Sequence, residues 1–304
     1  MVRKGSHIVN SMDVPVQPVL AQSNQEGDLV TGDMEIICIG NELLIGKIAN
    51  TNAQWMSKRA TFLGITVRRI TVVSDETEEI SSALLEAIER KPQFVITTGG
   101  LGPTFDDKTL QGMSSALDRK LEVNENALRM VREKYESYFE RDRIKESELT
   151  PPRVKMATIP EGTIPIPNPV GTAPAVQAET GATVIVSLPG VPSEMEAIFD
   201  QTVAPMLRKA SSNVSFYEKR IYLDGIFESS IAPIVDQVMQ DNPSIYIKSH
   251  PRGIEKKPHL EIHFSLKAAT SEKPEEKLEK AANQLARLVA QKGGRVFTET
   301  EAAD

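Results

Sequence analysis

The sequence predicts an α/β fold: a mostly parallel sheet with helices on both faces, followed by a small α+β domain. Two patterns lead to this expectation. From Met34 to about residue 210, short apolar runs alternate with segments of helical periodicity, which is typical of a parallel sheet. From residue 214 to residue 298 the order of elements changes to β-α-β-β-α-β, which suits a smaller module.

The first domain, residues 34–210, is predicted from apolar runs and from helix boundaries. Residues 51–63 have helical spacing and end at Gly64, a residue suited to helix termination. Residues 159–174 are rich in proline, so turns and short strands are expected there. We predict strands at 35–40, 65–73, 94–98 and 183–188, and helices at 51–63, 77–90, from about 106, at 126–148 and at 192–209.

The second domain, residues 214–298, follows a weak linker signal at residues 210–215. Its helices are predicted from amphipathic spacing and its strands from short apolar runs. The predicted strands are 219–223, 244–248, 259–267 and 295–297, and the predicted helices are 228–240 and 274–291.

Composition restricts the class of protein. Residues 1–33 are polar or interrupted by prolines, so we expect a disordered tail and no signal peptide. The single cysteine, Cys38, excludes an intrachain disulfide, and its apolar surroundings favour a buried structural thiol in a cytoplasmic protein. No apolar stretch is long enough to span a membrane. The net charge of −7 argues against a generally basic nucleic-acid binder.

The segment from Thr97 to Thr109, TTGGLGPTFDDKT, is the most informative one. It follows a predicted strand and precedes a helix, at the sheet edge where ligands usually bind. Gly99, Gly100 and Gly102 allow the backbone to approach a ligand, and backbone N–H groups of this kind bind phosphate. The segment is neither a Walker A loop nor a dinucleotide fingerprint, because Phe105 occupies the third glycine position.

Asp106 and Asp107 follow this loop directly. Either residue could simply cap the following helix. However, two carboxylates beside a phosphate site repel the anion unless a cation lies between them. We therefore predict a divalent metal, Mg²⁺, Mn²⁺ or Co²⁺, at Asp107, and potassium is a further candidate cation.

Three other loops complete a recognisable set. They read GNELLIG at 40–46, NPVGTAP at 168–174 and LPGVPSEM at 188–195. Together with TGGLGPTFDDKT at 98–109, they resemble the CinA family (competence/damage-inducible protein A), which is built on the MoaB/Mog molybdopterin-binding fold. The resemblance covers about residues 34–210 and implies a three-layer αβα domain. Residues 216–297, notably NPSIYIKSHP at 242–251, resemble the KH-like domain that follows in CinA proteins.

The resemblance implies a metal-dependent ADP-ribose pyrophosphatase that forms AMP and ribose 5-phosphate. In the mechanism that we expect, a metal-activated water attacks one phosphorus of a diphosphate in line. Many CinA proteins also carry a nicotinamide mononucleotide amidohydrolase domain. Because this sequence ends at Asp304, we expect neither that domain nor its deamidase activity.

Site residues follow by matching these motifs. Asp107 is the expected metal ligand and catalytic carboxylate, Asp106 is the second candidate, and Glu42 could order a water or be a plain surface carboxylate. Asn50 stands where the related adenylyltransferases would have aspartate, which counts against full molybdenum-cofactor chemistry. The expected ligand-binding residues are Gly99, Gly100, Gly102, Thr104, Asn50, Asn168, Gly171, Thr172, Pro189, Gly190 and Glu194.

The second domain carries weaker signals. His259 and His263 could share one face of a strand as a metal pair, although ordinary packing is the more frequent reason for such spacing. No Gly-x-x-Gly loop occurs in this domain, so RNA binding of the KH type is not expected. A role in dimerisation or as a lid fits better, and we expect a homodimer.

Three classes of function therefore stay open. The first is a hydrolase of nucleotide diphosphates, which needs a competent metal site at Asp107. The second is a non-catalytic binder of molybdopterin or a nucleotide. The third is a structural or RNA-interacting protein, which only the KH-like topology supports.

Overall fold

The first part of the chain forms a six-stranded sheet between two layers of helices. The structure is a computed structural model and describes residues 32–141, 144–211, 214–252 and 259–297. The predicted tail therefore lies almost entirely outside the described residues. The strands of this part are β1 (Asp33–Ile39), β2 (Thr66–Val73), β3 (Phe94–Thr98), β4 (Leu121–Val123), β5 (Thr158–Pro160), β6 (Ile164–Ile166), β7 (Ala175–Thr180) and β8 (Thr183–Leu188).

The strand order in the main sheet is β2-β1-β3-β8-β7-β6. The first four strands are parallel, β7 runs antiparallel to β8, and β6 runs antiparallel to β7. β4 and β5 form a separate antiparallel pair. Because β1, β3 and β8 are parallel neighbours, the loops after Ile39, Thr98 and Leu188 all leave the same edge of the sheet.

The helices divide between the two faces of this sheet. They are α1 (Asn41–Leu44), α2 (Thr51–Phe62), α3 (Thr77–Glu89), α4 (Thr109–Leu117), α5 (Glu125–Glu140), α6 (Pro151–Lys155), α7 (Pro192–Ile198) and α8 (Ala204–Ala210), with a π-helical turn (Phe199–Val203) between the last two. α2, α7 and α8 pack on one face, where the core includes Met34 and Ile96. α3, α4 and α5 pack on the other, where it includes Ile37 and Val95. The three-layer αβα prediction is confirmed.

Two helix boundaries differ from the sequence prediction. The helix predicted from about residue 106 begins at Thr109, because the preceding loop turns back on itself through the side chain of Asp107. The helix predicted over 126–148 ends at Glu140. Its apolar spacing stops at Phe139, and the described residues 144–150 are not helical.

The second part of the chain forms an antiparallel sheet of the order β10-β11-β9-β12. Two helices cover one face of it, and the core includes Ile221, Phe264 and Leu285. The predicted order β-α-β-β-α-β is confirmed. The elements are β9 (Val214–Asp224), α9 (Glu228–Asp241), β10 (Tyr246–Pro251), β11 (His259–Ala269), a 3₁₀ turn (Thr270–Glu272), α10 (Pro274–Gln291) and β12 (Arg295–Phe297). In the described ranges, no helix combines the length and the apolar composition of a membrane-spanning segment.

Candidate functional site

A cavity of about 470 Å³ lies at the carboxyl edge of the parallel strands. The loops after β1, β3 and β8 form its walls, as the parallel topology requires. Eleven of the fourteen residues predicted for the site line it, and Thr104, Asn168 and Gly171 do not. The predicted residues that line it are Glu42, Asn50, Gly99, Gly100, Gly102, Asp106, Asp107, Thr172, Pro189, Gly190 and Glu194.

The loop between β3 and α4, residues 99–108, is called the glycine loop below. It needs its first two glycines for its own conformation. Gly99 and Gly100 have φ values of 108° and 64°, which side-chain-bearing residues rarely adopt. A Cβ atom on Gly99 would lie 2.1 Å from the carbonyl oxygen of Ile39, and one on Gly100 would lie 2.3 Å from Oγ1 of Thr109. These glycines therefore let β1, β3 and the start of α4 come together at the cavity.

Three consecutive backbone N–H groups in this loop lack an acceptor among the described residues. In the described part of the chain, the amides of Gly100, Leu101 and Gly102 donate no hydrogen bond, whereas Gly99 donates to Leu188 at 3.1 Å. A run of unpaired amides in a turn attracts anions, because each N–H carries a partial positive charge. The loop therefore has the donor pattern of an anion site.

Asp107 does not cap the helix. Its Oδ2 atom accepts hydrogen bonds from the backbone N–H of Thr104 at 2.8 Å and from the Thr104 hydroxyl at 2.7 Å. α4 itself has no side-chain cap. The interpretation that either aspartate serves only as a helix cap is therefore wrong, and Oδ1 of Asp107 makes no hydrogen bond to any residue that the structure describes.

Thr104 organises both aspartates without lining the cavity. Its hydroxyl also lies within hydrogen-bond distance of Asp106. This contact holds the pKa of Asp106 below its usual value, with a contribution from the residue's own backbone amide. One threonine hydroxyl thus lies within hydrogen-bond distance of both carboxylates.

Glu194 and Asn168 form a second ordered pair at the opposite wall. Nδ2 of Asn168 donates to Oε2 of Glu194 at 2.6 Å, and Oδ1 of Asn168 accepts from Gly171 N–H at 2.8 Å. A Cβ atom on Gly171 would lie 2.1 Å from the Glu194 carboxylate. Asn168 and Gly171 therefore support the wall, while Thr172 and Glu194 form its surface.

Asn50 lines the cavity but uses its side chain locally. Its Oδ1 atom accepts from the N–H of Ala53 at 3.1 Å and so caps α2. Its side chain also contacts the thiol of Cys38, which is buried, and burial raises the pKa of that thiol. The prediction of a buried structural Cys38 is confirmed.

Asn52, which the sequence did not single out, joins the three loops. Its Nδ2 donates to Oγ1 of Thr98 at 3.0 Å and to the carbonyl of Gly190 at 2.8 Å. The Thr98 hydroxyl in turn donates to the carbonyl of Pro189 at 2.8 Å. Asn52 lies two residues after Asn50, and its role depends on contacts distant in sequence.

Asp75 is a second residue that the sequence did not identify. It lines the cavity and accepts a hydrogen bond from the N–H of Asn41 at 2.8 Å. Burial raises its pKa, and the negative charges of Glu42, Asp106 and Asp107 raise it further, while the bond from Asn41 opposes the shift. The cavity is therefore electronegative around Asp75.

The carboxylates of the cavity are the right type of ligand for a hard cation. Within the described ranges, there are too few of them close together to bind one without further ligands. The Asp and Glu side chains that line the cavity offer oxygen donors, which Mg²⁺ and Mn²⁺ prefer. Yet among the residues that the structure describes, no three His, Cys, Asp or Glu side chains are grouped to hold a metal. A cation here would need phosphate oxygens to complete its shell, which is how Mg²⁺ is usually bound.

The histidine pair of the second domain does not form a metal site. Nδ1 of His259 lies 2.6 Å from Oδ1 of Asp224, and Nε2 of His263 lies 2.9 Å from Oε2 of Glu218. Each ring thus has a separate carboxylate partner on the neighbouring strand, β9. The spacing of the two histidines therefore reflects ordinary packing on a strand, as the more frequent interpretation of such spacing predicts.

A family profile described as "Probable molybdopterin binding domain" matches residues 35–209, which include every residue of the cavity. The chain belongs to the molybdopterin-binding domain family. The crystal structure of the CinA protein of unknown function from Thermoplasma acidophilum is 40% identical, with a TM-score of 0.53, over 58% of this chain and 98% of that one. The CinA resemblance and the MoaB/Mog-type fold are thereby confirmed.

Archaeal relatives match beyond this domain. A protein of Pyrobaculum arsenaticum is 47% identical over 88% of this chain and 98% of its own length. A protein of Sulfurisphaera tokodaii is 43% identical over 86% of this chain and 97% of its own length. The KH-like assignment of residues 214–298 stays a prediction, because the family profile ends at residue 209.

Proposed function

We propose that the cavity binds the diphosphate of a nucleotide and hydrolyses it with the help of a divalent metal, and that ADP-ribose is the substrate. The observation that carries this proposal is the set of unpaired amides at Gly100, Leu101 and Gly102 beside the carboxylate of Asp107. The amides suit phosphate oxygens, and the carboxylate suits a cation. A cavity of about 470 Å³ is large enough for a ligand of this size.

The residues of the chain have separate tasks in this proposal. The amides of Gly100 and Gly102 bind non-bridging oxygens and stabilise the charge that grows on them during in-line displacement. Asp107, with Asp106 beside it, would hold the cation through carboxylate oxygens. When bound, a divalent cation neutralises phosphate charge and lowers the pKa of coordinated water.

Asp75 is the candidate proton carrier of this proposal. A carboxyl group with a raised pKa in a ligand cavity suits general acid or base catalysis. Burial is the main cause of the raised pKa of Asp75, and the negative charges of Glu42, Asp106 and Asp107 add to it. A bound cation would offset only this added part. Glu42 lines the same cavity and would orient a water molecule.

A non-catalytic molybdopterin or nucleotide binder is the second candidate. One observation favours it: the described residues hold no ready group of three metal ligands. Such a protein would use the same amides for the phosphate of its ligand and would lack turnover.

A substrate screen separates the two candidates. Nucleoside diphosphate compounds, including ADP-ribose, are incubated with the protein in Mg²⁺, Mn²⁺, Co²⁺ or EDTA, with and without potassium, and AMP is measured by chromatography. We expect AMP and ribose 5-phosphate from ADP-ribose only with a divalent metal. Binding by calorimetry without turnover under every condition would instead select the binder, and neither binding nor turnover would reject both.

A further inference from the structure

We propose that Lys155 is a positioning residue for the glycine loop. Its ammonium group binds three carbonyl oxygens of the loop from the side opposite the candidate site, and this keeps the loop in the conformation in which its amides face the phosphate. This inference deepens the proposed function, on which it rests. Neither the sequence motifs nor the family profile's description assigns a role to this lysine.

All three N–H donors of the Lys155 ammonium group are used in hydrogen bonds to the loop. Its Nζ atom donates to the carbonyl oxygens of Gly102 at 3.2 Å, Thr104 at 2.6 Å and Asp107 at 2.6 Å. An ammonium group has three N–H donors and no acceptor, so one side chain fixes three peptide groups of a six-residue turn. Each carbonyl lies in the plane of the peptide bond that follows its residue, so Lys155 fixes the backbone directly after Gly102, Thr104 and Asp107. It therefore holds the end of the loop that directly follows the amides of Gly100, Leu101 and Gly102.

The side from which Lys155 approaches explains why the loop needs it. Lys155 does not line the cavity of the candidate site but a second cavity of about 440 Å³ behind the same loop. The walls of that second cavity are mainly apolar and include Leu101, Leu110 and Leu149. Because this space is not filled by side chains, packing alone does not support the loop there, and the hydrogen bonds of Lys155 take that role.

The charge of Lys155 also bears on the ligand. Asp106 and Asp107 place two negative charges beside the proposed phosphate site. Lys155, which lies on α6, brings a positive charge to the turn that contains them. Burial lowers the pKa of Lys155, whereas the two aspartates favour its charged form. The lysine thus offsets part of the repulsion that the aspartates exert on an anion.

Chemical rescue tests this assignment. In Lys155→Ala, ethylammonium can enter from the second cavity and restore three N–H donors, whereas tetramethylammonium restores the charge alone. We expect Lys155→Ala to bind ADP-ribose with Mg²⁺ about tenfold more weakly or worse, and ethylammonium but not tetramethylammonium to recover the affinity. Lys108→Met is the matched control, because Lys108 also lies beside Asp107, but its ion pair among the described residues is with Glu76 at 3.0 Å. It should change the affinity less than about twofold.

A second readout needs no ligand. Amide hydrogen exchange is measured at Thr104 and Asp107, whose N–H groups are hydrogen-bonded within the loop, in wild type, Lys155→Ala and Lys108→Met. We expect faster exchange in Lys155→Ala alone, with recovery in ethylammonium, and this result stands even if the wild type binds no nucleotide. Wild-type exchange in Lys155→Ala, or equal rescue of affinity by both cations, would overturn the positioning role.

Discussion

Titratable side chains lie together in two regions: the carboxyl edge of the parallel sheet and the face of the second sheet that α9 and α10 do not cover. The two regions differ in how many of their polar groups already have a hydrogen-bond partner within the chain. At the sheet edge, the amides of Gly100 and Gly102 and the Oδ1 atom of Asp107 have none among the described residues. On the second sheet, His259 pairs with Asp224, and His263 pairs with Glu218.

Glu261 shows the contrast most clearly. It is buried in the second sheet, yet Arg252 donates to it at 2.6 Å from Nε, and Arg220 lies 3.7 Å away. Two cations from the same chain therefore already neutralise this carboxylate. The comparison teaches that residue type alone does not mark a site: unpaired donors and acceptors around a cavity do.

The largest expected effect is on turnover at Asp107. Asp107→Asn keeps the volume of the side chain but gives a neutral amide, a poor ligand for a hard cation. We expect turnover of ADP-ribose to fall by about 10²–10³ while binding weakens far less. Asp224→Asn, which alters the His259 pair in the second sheet, should leave turnover unchanged. Equal turnover in Asp107→Asn and wild type, in an AMP-release assay, would remove the metal role.

The next largest effect is on binding at Gly100. A valine there would have to adopt a φ of 64° and would lie too close to Thr109, so the loop must shift. Gly162→Val carries a similar backbone cost at a φ of 71°, but no atom lies near its Cβ position and it is outside the cavity.

Calorimetry on these two variants separates strain from binding. Thermal melts should fall in both. We expect Gly100→Val to bind ADP-ribose at least about tenfold more weakly and Gly162→Val to bind it as the wild type does. Unchanged affinity in Gly100→Val would move the anion site elsewhere.

A smaller effect concerns pH and Asp75. Since its pKa is raised in the folded protein, the folded state binds this proton more tightly than the unfolded state does. Asp75 therefore lowers stability as pH rises from its unfolded pKa through its raised folded pKa. We expect Asp75→Asn to have a melting temperature higher by on the order of 1 °C at neutral pH and a flatter pH profile. A steeper profile in the variant would contradict this electrostatic account.

The smallest effect is expected at His263. Its partner Glu218 is half-exposed, and exposed pairs of this kind contribute about 0–1 kcal/mol. His263→Gln should therefore leave nucleotide affinity and turnover unchanged and shift the melting temperature only slightly. A loss of turnover would mean that the second sheet takes part in the reaction.

The sequence predicted the parallel strands and the position of the cavity well. Phe94–Thr98 is an apolar run that ends at a glycine, and strand ends in a parallel sheet must meet at one edge. Most of the site followed from that rule. The antiparallel strand Ala175–Thr180 was missed, because the proline-rich stretch before it obscured the pattern.

Lys155 and Asn52 could not have been found in the same way. Lys155 binds backbone carbonyls 48 to 53 positions earlier in the chain, and every residue carries such a carbonyl, so no motif records the contact. Asn52 likewise reaches Gly190, 138 positions away. Only the folded chain brings these groups together.

Backbone chemical shifts test the central claim most directly. Adding ADP-ribose and Mg²⁺ to the ¹⁵N-labelled protein should shift the amides of residues 99–107, with smaller changes at 41–50 and 189–194. Residues 246–263 should not move where the structure describes them. Shifts confined to those second-sheet residues, with residues 99–107 unchanged, would contradict the claim that the glycine loop is the phosphate site.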